Sequence, residues 1–404
     1  MEIDVHVDPT NIYIFVADAL RWDSVPQRLA DESELIKTVS SSPLSCTAFT
    51  SILTGLNPPK HGVWKFSDVL PDDIDTIFDL VPGSCPTYMM NTISQGIDGV
   101  DRYSERAQFH EAIANVQEPF VVMDRELSTH APYGYDMSHP EIPDEDKSFT
   151  SLSEYWTART SDRTKIRRDY NRSAETAIDR FEERIDILRQ RGVLEDTLVI
   201  LTADHGEVLG EYGMYGHAPT LVSESVYVPT LFYGDGVEVT ADGDFMAHVD
   251  LYPTLCALMD EPVPEYTSGY NLIEGAPDSR LVFNAKKIDA TLLSKNLEYH
   301  AFGAWDHDGG HAFSDFGLTG KLLSVANRLV RTDDAPLNRR RPFTVLRTCF
   351  NRERTFGSPE HDRTEARRYC EQMFSDEIQS QSQTLDEAAQ DRLDALGYTD
   401  GEIG

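Results

Sequence analysis

Four stretches of the chain are apolar almost without interruption. NIYIFVAD (11–18), FVVMDRE (120–126), TLVILTADHGE (197–207) and VYVPTLFYG (226–234) run through β-branched and aromatic residues and stop at polar or small ones. Continuous rather than alternating apolarity predicts strands covered on both faces, the environment of a parallel sheet. Between them the period changes. In SAETAIDRFEERIDILRQRG (173–192), Ala177, Ile178, Phe181, Ile185 and Leu188 fall on one helical face, and Gly192 stops the run. HVDLYPTLCALM (248–259) predicts a second helix, and SILTG (51–55), small and apolar, reads as the start of a third. Strands alternating with helices predict a doubly wound α/β sheet flanked by helices. In such a sheet ligands bind beyond the carboxyl ends of the strands. The residues that end the strands therefore carry the interest: Asp18, Asp204-His205 and the region after Glu126.

Beyond about residue 275 the pattern shortens. RLVFNAKK, LLSKNLEYHAFG and KLLSVANRLVRT read as short strands separated by turns, which predicts a small antiparallel β subdomain. From about 350 the chain is rich in Arg, Glu and Gln and reads as exposed helix (TEARRYCEQMF, LDEAAQDRLDALGY). The organisation expected is a catalytic domain over 1–275, an antiparallel subdomain over 276–345 and a helical tail over 346–404. HPEIPDEDKSFTSLSEYW (139–156) reads as a long polar loop over the sheet.

Charge adds a second constraint. The 404 residues carry 69 acidic and 36 basic side chains, a net charge of −33, and only nine of the basic ones are Lys. The acids are dispersed along the whole chain, which predicts a surface hydrated in concentrated salt, a halophilic adaptation. Such a surface repels a phosphate backbone, so nucleic acid is not an expected partner. The five cysteines form no C-x-x-C pair and are odd in number, which fits reduced thiols in a cytoplasm. No signal peptide and no apolar run long enough to span a membrane are read, so a cytoplasmic protein without membrane insertion is expected.

An adjacent carboxylate and imidazole at one strand tip, Asp204-His205, with Asp18 at another, make an oxygen and nitrogen site suited to Mn, Mg, Ca or Zn. The stretch SSPLSCTAFTSILTGLNPPKHG (41–62) brings hydroxyls and a thiol, Ser45, Cys46, Thr47, Thr50 and Ser51, ahead of the SILTG segment. Either one of them is a nucleophile at a helix N-terminus, or they only cap a helix at Ser51.

With these motifs in hand the chain resembles the sulfatase branch of the alkaline phosphatase superfamily. FVADALRWDS resembles its first strand and metal-binding Asp, and SPLSCTAFTSILTGLNPPKHGV its nucleophile loop and helix. STHAPY resembles its substrate-facing segment, and GVLEDTLVILTADHGEVLGEYGMYGHAPTLVSESVYVPTLFYG its second metal motif and following strand. HVDLYPTLCALMDEPVP and a late DALGY complete the series. The resemblance implies an alkaline-phosphatase-like mixed sheet and a metal-dependent hydrolase of sulfate or phosphate esters. It implies one divalent metal held by Asp18, Asp204, His205 and the nucleophile, with a second metal as an option. Counting back from SILTG places the nucleophile at Ser45, with Cys46 and Thr47 as alternatives.

The match departs from the family at named positions. Ala19 stands where sulfatases often carry a second Asp. The C/S-x-P-x-R signature for formylglycine has lost its Pro and Arg, which are Thr47 and Phe49 here, so formylglycine is not expected and Ser45 is expected to act as a metal-activated hydroxyl. His130 is expected to bind an equatorial oxygen or protonate the leaving group. His217 is expected to stabilise developing charge or to ligate a second metal. His61 and Lys60 are candidate substrate contacts, whereas His307 and His311 are left out of the site. The expected partner is a small anionic ester or glycan, with oligomeric state undetermined. Two alternatives stand beside hydrolysis: a phospho-group transferase of the phosphoethanolamine or glycerol type, and an inactive sulfatase-like protein that binds anionic ligands.

Overall fold

The computed structural model describes residues 2–5, 9–81, 85–90, 105–107, 113–133, 152–159, 162–216, 221–234, 237–240, 245–277, 279–292, 295–330, 335–351 and 353–382. Its centre is an eight-stranded sheet of β1 (Asn11–Ala17), β2 (Ile36–Val39), β3 (Cys85–Met90), β4 (Glu105–Ala107), β5 (Phe120–Glu126), β6 (Thr197–Thr202), β7 (Tyr227–Tyr233) and β8 (Phe245–Ala247). The spatial order is β8-β2-β7-β6-β1-β5-β3-β4. β6, β1, β5, β3 and β4 are mutually parallel, and β7 runs against both β6 and β2. The sheet is thus mixed, with β7 as its reversed strand.

The apolar runs form central strands because both faces are roofed by helices. Along β1, Ile12, Ile14 and Val16 enter one core with Phe49, Ile52 and Leu53 of α1 (Ser45–Thr54). Their alternates Tyr13, Phe15 and Ala17 enter the other core with Ala177, Ile178, Phe181, Ile185 and Leu188 of α2 (Arg163–Arg191). Deleting any one of these large side chains to Ala would cost about 2–5 kcal/mol.

Three elements differ from the reading of the pattern. α2 begins ten residues earlier than residue 173, with the Asp162 side chain accepting from the Lys165 N–H at 3.1 Å and Ile166 and Tyr170 buried in the added turns. α1 begins at Ser45, so SILTG is the end of this helix rather than its start. Gly55 closes it at φ 67°, where a Cβ would stand 3.0 Å from that of Tyr252. KLLSVANRLVRT is not a strand but lies mainly in α3 (Leu318–Val330): its Leu and Val positions recur at helical spacing, and the turn signals around it misled.

The antiparallel unit after residue 275 is a meander of β9 (Val282–Leu292), β10 (Lys295–Trp305), β11 (Gly309–Ser314) and β12 (Arg354–Gly357). The segment read as a purely helical tail supplies helix α4 (Pro342–Phe350), the strand β12 and helix α5 (Arg363–Met373). LDEAAQDRLDALGY lies outside the described residues, as does most of the polar segment 139–156, whose end enters a helix at Leu152–Arg159. No described helix is long and apolar enough to cross a membrane.

Candidate metal and nucleophile site

The parallel strands deliver their C-terminal ends to one edge. Asp18 follows β1, Arg125 and Glu126 end β5, Asp204 and His205 follow β6, and the loop after β2 leads through Ser40 to Ser45. Asp18, Asp204, His205 and Ser45 are each 0 % exposed. One ligand atom from each of Asp18, Asp204 and His205 falls within 4.8 Å of the others. The Ser45 Oγ lies 3.3 Å from the His205 Nε2.

Hydrogen bonds fix how each group presents itself. The Asp204 Oδ1 accepts the Ala19 N–H at 3.0 Å and the His205 N–H at 2.9 Å. Its Oδ2 has no hydrogen-bond partner and stands 3.5 Å from the His205 Nε2. The Asp18 Oδ2 accepts from the Arg125 Nε at 2.8 Å and Nη2 at 2.5 Å, while Oδ1 has no partner. The His205 Nδ1 lies 2.8 Å from the Gly206 carbonyl. A carbonyl only accepts, so Nδ1 carries the proton and Nε2 presents its lone pair to the Ser45 hydroxyl, beside the carboxylates. Gly206 is required because a Cβ there would sit 2.1 Å from the Glu224 carbonyl oxygen.

Two bare carboxylate oxygens and an imidazole lone pair, all buried and converging, are costly as they stand. They fit a divalent cation that accepts oxygen and nitrogen ligands. Burial pushes the Asp18 carboxyl up, but Arg125, with His130 and His205 behind it, outweighs burial and holds it below the usual carboxylate value. Ser45 is the first residue of α1, whose preceding Leu44 supplies no side-chain cap. Its hydroxyl therefore sits among the unsatisfied N–H groups and positive dipole of a helix start, which favour an oxyanion.

The other candidates resolve as follows. Cys46 faces away from the cluster, in the core with Phe49, Ile52 and Leu53. Ser51 is inside α1 rather than at its start, so capping by Ser51 does not explain the hydroxyls. His130 is buried, and its Nδ1 donates to the Ala131 carbonyl at 2.7 Å, which leaves Nε2 unprotonated. Burial lowers its basicity despite the opposing pull of Asp18. His217 lies outside the described residues.

His61 is not a cation: burial lowers its pKa to about 3. Its Nδ1 accepts the Val63 N–H at 3.1 Å, so Nε2 donates to the Ser51 Oγ at 3.1 Å, and the ring braces two helices. The Lys60 Nζ reaches the Tyr266 carbonyl at 3.4 Å. The His311 ring is held by Thr355 and the His361 carbonyl, and His307 pairs with Asp308.

Three residues at the site escaped the reading of the pattern. Arg125 sits inside FVVMDRE, where the pattern shows only the polar close of a strand. His248, whose pKa burial lowers to about 3, donates Nε2–H to the Ala203 carbonyl at 2.9 Å and accepts the Ser41 N–H at 3.4 Å, tying the loop before Ser45 to the strand before Asp204. Glu207, fully buried next to the pair, has its pKa raised by burial to about 7. Only the adjacency of strands far apart in the chain brings these groups together. From the C-terminal sheet, the Asn284 Nδ2 donates to the Ser40 carbonyl at 2.5 Å and the Ala285 N–H to that of Ser41 at 3.0 Å, so β9 braces the same loop.

Comparison with known proteins identifies the family. A family model described as Sulfatase matches residues 84–261. The low-salt glycan biosynthesis sulfotransferase Agl7 of Haloferax volcanii is 30 % identical over 317 residues, 74 % of this chain and 73 % of that protein. Arylsulfatase K of Bos taurus is 34 % identical over 92 residues, 22 % of this chain and 17 % of that protein. Among solved structures, a 2-O GAG sulfatase superposes with a TM-score of 0.59 at 15 % identity, covering 76 % of this chain and 83 % of that one. The phosphonate monoester hydrolase of Agrobacterium radiobacter gives 0.55 at 16 % identity, covering 84 % and 95 %. At these identities the two structures speak for the fold.

Proposed function

Because the chain belongs to the sulfatase family of the alkaline phosphatase superfamily, we propose that it cleaves sulfate or phosphate esters with Ser45 as nucleophile and a divalent cation between Asp18, Asp204 and His205. The observation that carries this reading is the Ser45 Oγ, 3.3 Å from the His205 Nε2 beside two buried carboxylate oxygens without partners. A cation bound there would lower the pKa of the serine hydroxyl and screen the charge of an anionic ester.

The chain's own residues do the rest. α1 aims the Ser45 oxygen from a helix start, where the exposed N–H groups favour negative charge. Ser45 Oγ forms a bond to sulfur or phosphorus as the bond to the leaving alcohol breaks. Solvent base takes the serine proton, and His130, protonated from water at Nε2, gives a proton to the leaving oxygen. Water then cleaves the ester on Ser45 and restores the hydroxyl. With Thr47 and Phe49 in place of the formylglycine signature, the nucleophile remains serine.

The substrate class is an anionic ester of a small alcohol or a glycan. A second reading, transfer of the group to an acceptor hydroxyl instead of water, is favoured by the sulfotransferase name of the Haloferax relative. The test is hydrolysis of p-nitrophenyl sulfate and p-nitrophenyl phosphate with Mn²⁺, Mg²⁺, Ca²⁺ or Zn²⁺, and mass spectrometry of the quenched enzyme. A sulfo or phospho adduct on the Ser45 peptide is expected. Turnover by Ser45→Ala at the wild-type rate would refute the assignment, and product on an added sugar alcohol would select the transferase reading.

A further inference from the structure

An anionic group held beside two carboxylates needs a permanent positive charge, and this chain has few to give. His61 is neutral, the basicity of His130 is lowered by burial, and the Lys60 ammonium is turned to the Tyr266 carbonyl. Among the described residues, Arg125 is the Arg or Lys that pairs with Asp18, and none pairs with Asp204. Its guanidinium is 1 % exposed, is carried at the end of strand β5 before Glu126, and donates to Asp18 through Nε and Nη2. It lies over the ring of Phe49 at 5.1 Å from the ring centre. Phe49 is one helical turn beyond Ser45 on α1. The nucleophile helix is thus apolar on the side where this guanidinium rests, and the charge arrives from the neighbouring strand.

We propose that Arg125 is the fixed positive charge of this site, and that it holds the site's affinity for an anionic ester high at the expense of its affinity for metal. The inference rests on the function proposed above, but its measurements do not depend on turnover. A positive charge on Asp18 repels a divalent cation and attracts a sulfate, so removing it moves the two affinities in opposite directions. An ion pair that only stabilised the fold would leave both unchanged in the folded protein, or weaken both together.

The experiment is a calorimetric titration of the full chain with Mn²⁺, and then of the Mn²⁺-loaded protein with inorganic sulfate. It is run for the wild type, Arg125→Met, Arg125→Lys and the double variant Phe49→Arg with Arg125→Met. For Arg125→Met we expect Mn²⁺ to bind at least about tenfold tighter and sulfate at least about tenfold weaker, the scale of one unit charge a few ångströms away in a partly screened site. Arg125→Lys, which keeps the charge, stays within about threefold of wild type for Mn²⁺. The double variant, which supplies a guanidinium from α1 in place of the one lost from β5, recovers sulfate affinity.

Affinities for both ions within twofold of wild type in Arg125→Met, or a joint fall of both, overturn the proposal. Should Arg125→Met not fold, a tenfold change of Mn²⁺ affinity in Arg125→Lys overturns it equally. The same titrations in Ser45→Ala separate the two ideas: a wrong nucleophile leaves the Arg125 effect standing.

Discussion

Two groups of buried acids lie close together at the end of the sheet, and they are treated differently. Asp124 and Glu126 of β5 face α2, where Arg184 donates to Asp124 at 3.1 Å and Arg180 to Glu126 at 2.7 Å. Tyr13 adds a hydroxyl to Asp124 at 2.7 Å. Two acids there meet two arginines. At the strand tips one arginine, Arg125, pairs with Asp18 and, among the described residues, none pairs with Asp204; each acid keeps an oxygen without a partner, as Asp124 does with its Oδ1. The first group is neutral within the protein. The second is one positive charge short, and one ligand atom from each of Asp18, Asp204 and His205 lies within 4.8 Å of the others. A buried carboxylate left unbalanced costs several kcal/mol, a cost that a cation bound between the two strand tips would remove.

This contrast is broken most severely by Asp204→Asn. At the tip cluster the change should lower turnover by about a thousandfold or more, as for the loss of a group acting within a catalytic unit. In EDTA, however, it should leave the protein as stable as wild type or more so, because an unbalanced buried charge has been removed. Kinetics and chemical denaturation of the same preparation check both halves. In the neutral group the signs reverse: Glu126→Gln should cost about 3–5 kcal/mol of stability by stranding Arg180. Its Mn²⁺ affinity should stay within threefold of wild type, read by denaturation and calorimetry.

A gentler probe is the metal itself. Saturating Mn²⁺ at a hundred times its dissociation constant should stabilise wild type by about 2.7 kcal/mol, and Asp204→Asn by far less, as a thermal shift against EDTA will show.

The strands of both groups were legible from pattern alone. β1, β5, β6 and β7 are apolar on both faces because helices cover both faces, and a continuous apolar run has no other stable place. Asp18, Asp204 and His205 could be picked out because they break such runs at their ends. Arg125 could not: inside FVVMDRE it looks like the polar close of a strand, and its role appears only when β5 is laid beside β1. His248 was hidden in a helix-like segment for the same reason, since Ala203 and Ser41 are remote in the chain. The error over KLLSVANRLVRT has a different source. Its apolar positions follow the helical period, but the strands on either side invited a β reading.

At neutral pH no part of this contrast is felt at the histidine that braces α1, whose effect appears only as pH falls. His61 has a pKa lowered to about 3 in the folded protein against an ordinary value of about 6.5. The unfolded chain therefore takes up the proton first as pH falls. The stability tied to His61 is complete above about pH 6.5 and is lost progressively toward pH 3, at up to about 1.4 kcal/mol per pH unit. In His61→Gln that part of the slope should vanish in denaturation curves recorded in EDTA across this range.

The central claim, a cation shared by the strand-tip acids and the nucleophile, is tested most directly by anomalous diffraction from crystals soaked in Mn²⁺. The account predicts one strong peak ligated by the Asp18 Oδ1, the Asp204 Oδ2 and the His205 Nε2, with the Ser45 Oγ turned toward it. A Mn²⁺ peak elsewhere, or a Ser45 side chain directed away from an occupied site, would contradict it.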